Sequence, residues 1–599
     1  MFYVKNERGY SLLLTMFVFI LFTVLTLTVM AATITGAKRN QSSEQAIQAK
    51  ELAMMGVEHL AEDIYKELSE QIGENGISRT EFESILVRVL NDASIEKRTN
   101  ETGTYEAEVI DIQTIPSDKN SDELKRRVTI LGSGVVDGTV KQVKTTIDFG
   151  AQSTLESLKY AVGSNLSDEC KDGGRCFGGE GNVYLHGGVT ITGDLKVDRH
   201  LVITDRGYAF LNGRQYWIES TYPAILPTEA EETSKMVLKG NVYTFDHTPD
   251  YETLLSTSDF DNGSENNSSN NGFLCWLFPW LCQDDGQSTS DYRNVTNSLE
   301  QVFFEGNAPE IVQREPVRDE IKINETINSF KFDKNTPGVK EVTPIWDWSY
   351  NYLWNTANNY PNWSREKIYV NSSKNLYLVG ENHFGSFSTN NDVVITEGYE
   401  VNKTSFENGA YIDGDLKIDD GWVELDGPIY VVGNVYINNV NAKINSIMYV
   451  KGNVVIENSV INGLNGGSLI IFADGEIDIH NISVHENEPS YIKGFFYSND
   501  ALQMFGVGSN IKIEGGVSAS RIVFNAIRGR SSYYKFSGAQ KHGGEYFEGK
   551  INQYNKTSRL QIIYDPEIMN TYADLKAREP MVMAVDPPQI VERETVNVE

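Results

Sequence analysis

Cysteine is nearly absent from this 599-residue sequence, with four against 50 glycines and 30 tyrosines. They stand as two close pairs, Cys170 with Cys176 and Cys275 with Cys282, and neither pair has CxxC spacing. With only 8 histidines as well, no metal centre is expected. In an exported protein such pairs are candidates for two local disulfides, although spacing alone does not fix the connectivity. Proline is also scarce, at 16, and with abundant Gly, Tyr and Phe this favours strand-rich globular structure over disorder. Positive charge is in deficit. Lys plus Arg number 52 against 83 for Asp plus Glu, a net charge of −31. Such a field repels phosphate backbones, so no nucleic-acid partner is expected. No Ser-His-Asp arrangement, metal-ligand spacing or phosphate loop occurs, so the chain does not read as an enzyme and no cofactor is expected. The length accommodates roughly two to four domains.

Long apolar runs are missing except at one place. Between Tyr10 and Ala37 there is no charged residue. The apolar part, Leu12 to Ala32, rises roughly 30 Å as a helix, enough to span a hydrocarbon core. Ala31-Ala32-Thr33 also imitates a signal-peptide cleavage site, which is the competing reading. Beyond the run the helical pattern continues. Ala53, Val57, Leu60, Ile64 and Leu68 recur at steps of three or four and form one face of an amphipathic helix. The charge flanks leave orientation open, because Lys5 and Arg8 before the run face Lys38 and Arg39 after it.

A short basic leader ending in Gly9, then Tyr10, then an apolar helix that turns amphipathic, resembles the type IV prepilin-like proteins. The resemblance implies cleavage after Gly9 by a dedicated peptidase, with Tyr10 as the new N-terminus. It also implies packing of the apolar helix in a filament core. The family's major subunits carry Glu five residues after the cut, whereas Leu14 stands there in this chain. That departure resembles PilX-type minor pilins and related Gram-positive proteins. The alternating stretch Tyr105 to Ile112 and the segment Arg127 to Phe149, with Val-Asp-Gly-Thr between apolar runs, read as strands with a β-hairpin. An unrelated small α+β domain is the alternative there.

An internal repeat of the form apolar-x-apolar-x-Gly-x-apolar-x-apolar centres on Gly193, Gly240, Gly414, Gly433, Gly452, Gly475 and Gly515, and the steps from 414 to 433 to 452 are 19 residues each. That length fits one coil of a β-solenoid, with the Gly at a bend or a close backbone approach. An antiparallel sandwich is the alternative. Gly494-Phe495-Phe496-Tyr497-Ser498, Gly515 to Ala519, and Ile562 to Pro566 resemble the rungs and closing Tyr-Asp-Pro strand of PilX-type surface proteins. Bactofilin-type solenoids share the rung pattern.

Several segments invite function. Residues 262–271 are rich in Asn, Ser and Gly, and the apolar stretch Phe273 to Cys282 that follows reads as an adhesive tip or a plug. Trp346, Trp348, Tyr350, Tyr352, Trp354 and Trp363 could stack on sugar rings, or form the core of a covering segment. Asp413, Asp415, Asp419 and Asp420 read as Ca²⁺ ligands or as solvated turns.

The expected fold is mainly β: a long N-terminal transmembrane and amphipathic α-helix with a small α+β pilin-like region, then a right-handed parallel β-helix. The expected division is leader 1–9, transmembrane helix 10–37, amphipathic helix plus hairpin 38–150, first solenoid segment 151–258, insertion 259–292, covering segment 293–392, main solenoid 393–540, and closing strand with tail 541–599. The expected role is structural: a single-pass cell-membrane protein with its ectodomain outside, serving as a minor pilus component or tip subunit. Expected partners are membrane lipid, other pilin-like subunits and surface glycans. The rivals are a membrane-tethered carbohydrate-active β-helix enzyme and a plain surface adhesin.

Overall fold

The computed structural model describes residues 8–72, 77–100, 102–114, 124–151, 155–166, 178–257, 260, 292–312, 321–346, 351–352, 362–398, 400–480, 488–576, 581–582, 585 and 588–596. The protein is mainly β, with a long N-terminal apolar helix, and divides into two compact units, Met1–Ser153 with Val582–Glu599, and Thr154–Met581.

In the first unit, helix α1 runs Arg8–Ile72, roughly 100 Å at the usual rise. Its second half lies on an antiparallel sheet of β1 (Ser94–Thr99), β2 (Thr104–Thr114), β3 (Lys125–Val136) and β4 (Thr139–Gly150). Ala53, Val57, Leu60, Ile64 and Leu68 are buried, as their spacing predicts. Asp137 at φ 47° and Gly138 at φ 82° form the two-residue turn between β3 and β4; both left-handed conformations suit a type I′ hairpin. The helix approaches the sheet closely because the facing residues are small. A Cβ on Gly132 would meet the Ala53 carbonyl oxygen at 2.2 Å, and one on Gly134 the Ala49 carbonyl oxygen at 2.0 Å. Gly134→Val is therefore expected to lever α1 off β3 and destabilise this unit by about 3 kcal/mol, read as a lower urea midpoint. An unchanged midpoint would contradict the contact.

The sequence predicts a closing strand with a tail over 541–599. Instead Gln589–Val596 adds an antiparallel fifth strand beside β4. It is mostly exposed, with Glu592, Arg593 and Glu594 at its centre, so it carries no apolar alternation by which to find it.

The second unit is built on three parallel ladders. One runs Leu376, Val393, Leu416, Val435, Val454, Ile477, Leu502, Ile522, Val183, Leu201, Val242. A second runs Phe387, Ala410, Ile429, Met448, Ile471, Phe496, Val517, Val162, Leu195, Met236, Ile311. A third includes Ala442, Ile461, Ile492, Ile513, Ile562, Ile191 and Ile225. Their inward side chains form one continuous apolar core. The stack is not in chain order: the coil ending near residue 526 sits on the one beginning at 162. The segments read as separate, 151–258 and 393–540, are thus one stack. Leu560–Tyr564 does not close it; that strand is internal, paired on both sides with Ile511–Gly515 and Thr190–Thr192.

The repeated glycines mark corners. The backbone N–H of Gly433 donates to the Gly414 carbonyl (3.0 Å), Gly452 to Gly433 (3.1 Å) and Gly475 to Gly452 (3.2 Å). Asp415 Oδ1 accepts from the N–H of Asn434, Asn434 Oδ1 from that of Asn453, and Asn453 Oδ1 from that of Glu476. A Cβ on Gly452 would fall 2.5 Å from Asn434 Oδ1 and 2.6 Å from the Gly433 carbonyl oxygen. Gly193 and Gly515 fit the same sequence template but turn a different corner, between the third and second ladders. They do so at φ 122° and 143°, in the left-handed half of the map. At a further corner Asp420, Asn439 and Asn458 adopt φ 57°, 53° and 47°, one 19-residue step apart. Asn and Asp tolerate that conformation best among residues other than glycine.

Outside the coils, Tyr430 stacks on Tyr449 at 5.6 Å and Tyr449 on Phe472 at 5.4 Å. Two helices cover this stripe: Ile323–Ser329, through Ile323 and Ile327, and Glu567–Lys576, through Ile568, Tyr572 and Leu575.

Candidate functional site

Among the described residues, the first half of α1 presents a continuous exposed apolar surface. Phe17, Phe19, Ile20, Leu21, Phe22, Val24 and Leu25 are all exposed, and none of its most apolar window, of mean hydropathy 2.5, is buried against the protein. By length and composition this helix can cross a membrane. Its hydroxyls need no water. Thr23, Thr26, Thr28, Thr33 and Thr35 each donate to the carbonyl four residues earlier, at 2.7 or 2.8 Å. Every polar group of a helix in hydrocarbon must be satisfied in this internal way. Gly9 and Tyr10 lie inside the first turns of α1.

The other sequence candidates divide. Cys170, Cys176, Cys275, Cys282, Trp348, Tyr350 and Trp354 lie outside the described residues. Trp346 and Tyr352 sit on two short strands, Ile345–Trp346 and Asn351–Tyr352, paired antiparallel. Trp363 is half-buried against the core, 5.7 Å from Phe384, with Lys340 Nζ 5.8 Å from its ring centre. The acidic turns are engaged in hydrogen bonds. Asn434 Nδ2 donates to Asp415, Asn438 to Asp419 and Asn439 to Asp420, and Asp413 accepts from the Tyr411 hydroxyl.

An open cleft of about 670 Å³ lies beside Asp194, Glu231, Glu514, Tyr564 and Asp565. Its carboxylates have structural partners. Asp194 accepts from the Lys235 N–H at 2.7 Å. Asp565 pairs with Lys493 Nζ at 3.1 Å and accepts from the N–H of Glu567, and Glu514 accepts from Tyr491. Burial, with Asp565, Asp194 and Glu231 nearby, pushes the Tyr564 hydroxyl up to about 12.

Sequence reasoning missed His186, which has no neighbour in the sequence to mark it. Its ring is fully buried among Trp217, Tyr184, Phe245 and Tyr251, at centroid distances of 5.2 to 6.2 Å. Nδ1 donates to Asn525 Oδ1 at 2.9 Å, Asn525 Nδ2 donates to the Tyr251 hydroxyl, and Nε2 has no hydrogen-bond partner among the described residues. Burial pulls this imidazole down to about 4, opposed by the Asn525 bond. A depressed histidine is neutral when folded, so its contribution is complete above the unfolded value near 6.5 and declines as pH falls towards 4. Between pH 7 and pH 5 the wild type is expected to lose about 2 kcal/mol that His186→Gln does not lose, measured by urea unfolding at both pH values. Equal losses would contradict the burial argument.

No protein-family model and no curated protein matches the chain. Among solved structures it is similar to the crystal structure of competence-associated pilin ComZ from Thermus thermophilus. The identity is 11% and the TM-score 0.19, over 92% of this chain and 97% of that chain.

Proposed function

We propose that this chain is a membrane-anchored, pilin-like surface protein, a minor component or tip subunit of a type IV pilus-like system, processed between Gly9 and Tyr10. The observation that carries the reading is the division of α1. An unpartnered apolar half with internally satisfied hydroxyls continues without a break into a half that packs on its own sheet. The first half inserts into lipid or beside the apolar helices of other subunits, and the second fixes the folded unit to it. The parallel ladders fit a right-handed β-helix. The reading rests on this helix and on the leader sequence, not on the likeness to the solved pilin.

Shearing of cells tests it. The chain is expected in the sheared filament fraction. Gly9→Val is expected to keep it in the membrane, with the nine leader residues still attached. A chain that never shears, or that shears equally in both forms, would contradict the pilin role.

A further inference from the structure

The segment between the strands Ile511–Ala526 and Leu560–Tyr564 is basic. Residues 528–559 carry seven Lys and Arg against two Glu, in a chain whose net charge is −31. The segment forms its own three-stranded antiparallel sheet, Ser531–Ser532, Glu545–Glu548 and Ala539–His542, followed by a short 3-10 helix, Lys550–Asn555. Phe547 and Ile527, with Ala209, Ile218 and Val507, hold it to the stack through a small separate core.

Two of its cations are structural. Arg528 is buried against Thr221 and Thr190, and Arg559 is buried on the Ser509 carbonyl. Lys550 is half-buried on Asp205. The other four, Arg530, Lys535, Lys541 and Lys556, are exposed.

Among them stand large side chains that a soluble surface does not need. Ile551 is 87% exposed, Tyr534 82%, Tyr533 61% and Tyr554 52%. An aliphatic side chain exposed beside cations gains nothing in water. Tyrosine and isoleucine flanked by Lys and Arg form the chemistry of a membrane-water interface, with rings at headgroup depth and ammonium groups on lipid phosphates.

We infer that this basic, tyrosine-rich module is a second membrane contact, which docks on a bilayer of anionic headgroups. The inference rests on the anchored reading above. A sugar polymer would explain the tyrosines and the cations but not Ile551. A second copy docking through this same module would set its cations against cations of their own kind.

The test uses the full chain in vesicles of phosphatidylcholine, alone or mixed with phosphatidylglycerol. Flotation with the neutral vesicles reports the anchor alone, and its failure would remove the anchored reading. Amide exchange across 533–541 and 550–555 reports the module. It is expected to slow at least about tenfold with the anionic lipid relative to the neutral one. About 0.5 M salt is expected to abolish the difference. The Lys535→Glu/Lys541→Glu/Lys556→Glu variant is expected to lose the protection while floating normally and keeping its melting temperature. Ile551→Ser/Tyr534→Ser is expected to weaken it at unchanged charge. Equal exchange in both lipids would overturn the inference. So would protection that tracks protein concentration rather than lipid charge, the mark of a second copy.

Discussion

Replacing Leu21 and Val24 with lysine is expected to release the chain from membranes. Both side chains lie near the middle of the exposed apolar half of α1, more than half exposed, with no packing role in the folded units. A lysine at the centre of a spanning helix costs about 3 kcal/mol on insertion, so two shift the equilibrium by roughly four orders of magnitude. The protein is then expected in the soluble fraction after carbonate extraction, with its ectodomain melting unchanged. Retention in the carbonate-resistant pellet would mean that another part of the chain does the anchoring.

The second large effect is expected at a corner of the stack. Gly452→Val places a branched side chain where Asn434 Oδ1 and the Gly433 backbone already lie. The new Cβ forces two coils apart, and the bonds from Gly452 N–H to Gly433 and from Asn453 N–H to Asn434 fail with them. Overpacking and two lost hydrogen bonds together cost about 4 kcal/mol. Because the strands flanking this corner pair in parallel with a neighbour on either side, the loss is expected to open the ladders locally and expose this corner to protease. Gly508→Ala is the control. Nothing lies within 4 Å of a Cβ there, so its stability is expected to stay within about 0.5 kcal/mol of the wild type. Equal resistance of Gly452→Val and Gly508→Ala to limited proteolysis would contradict the close-approach account.

What could be read in the sequence follows from what periodicity records. Ala53 to Leu68 and the apolar positions around Gly414 to Gly475 face a core along one direction, so spacing alone locates them. The same spacing cannot say which corner a glycine turns, and Gly193 and Gly515 share a template with Gly414 while serving another bend. Nor does it record partners distant in sequence. The join of Ile522 to Val183 is a long-range pairing between two ordinary strands, and neither carries a mark of the other. Gln589–Val596 escapes because an exposed edge strand needs no apolar alternation. His186 escapes because its environment is assembled from residues between 184 and 525. The partners of the acidic turns escape for a related reason. Carboxylates one coil away from asparagine amides, as Asp419 is from Asn438, form rungs that look in sequence like a cluster of cation ligands.

The N-terminus of the protein extracted from membranes tests the anchor most directly. Tyr10 as first residue is the result expected of a chain that loses its leader and keeps α1. A chain starting at Thr33 would have shed the apolar half altogether, and an intact Met1 would leave the helix unprocessed; either would contradict the pilin-like anchor.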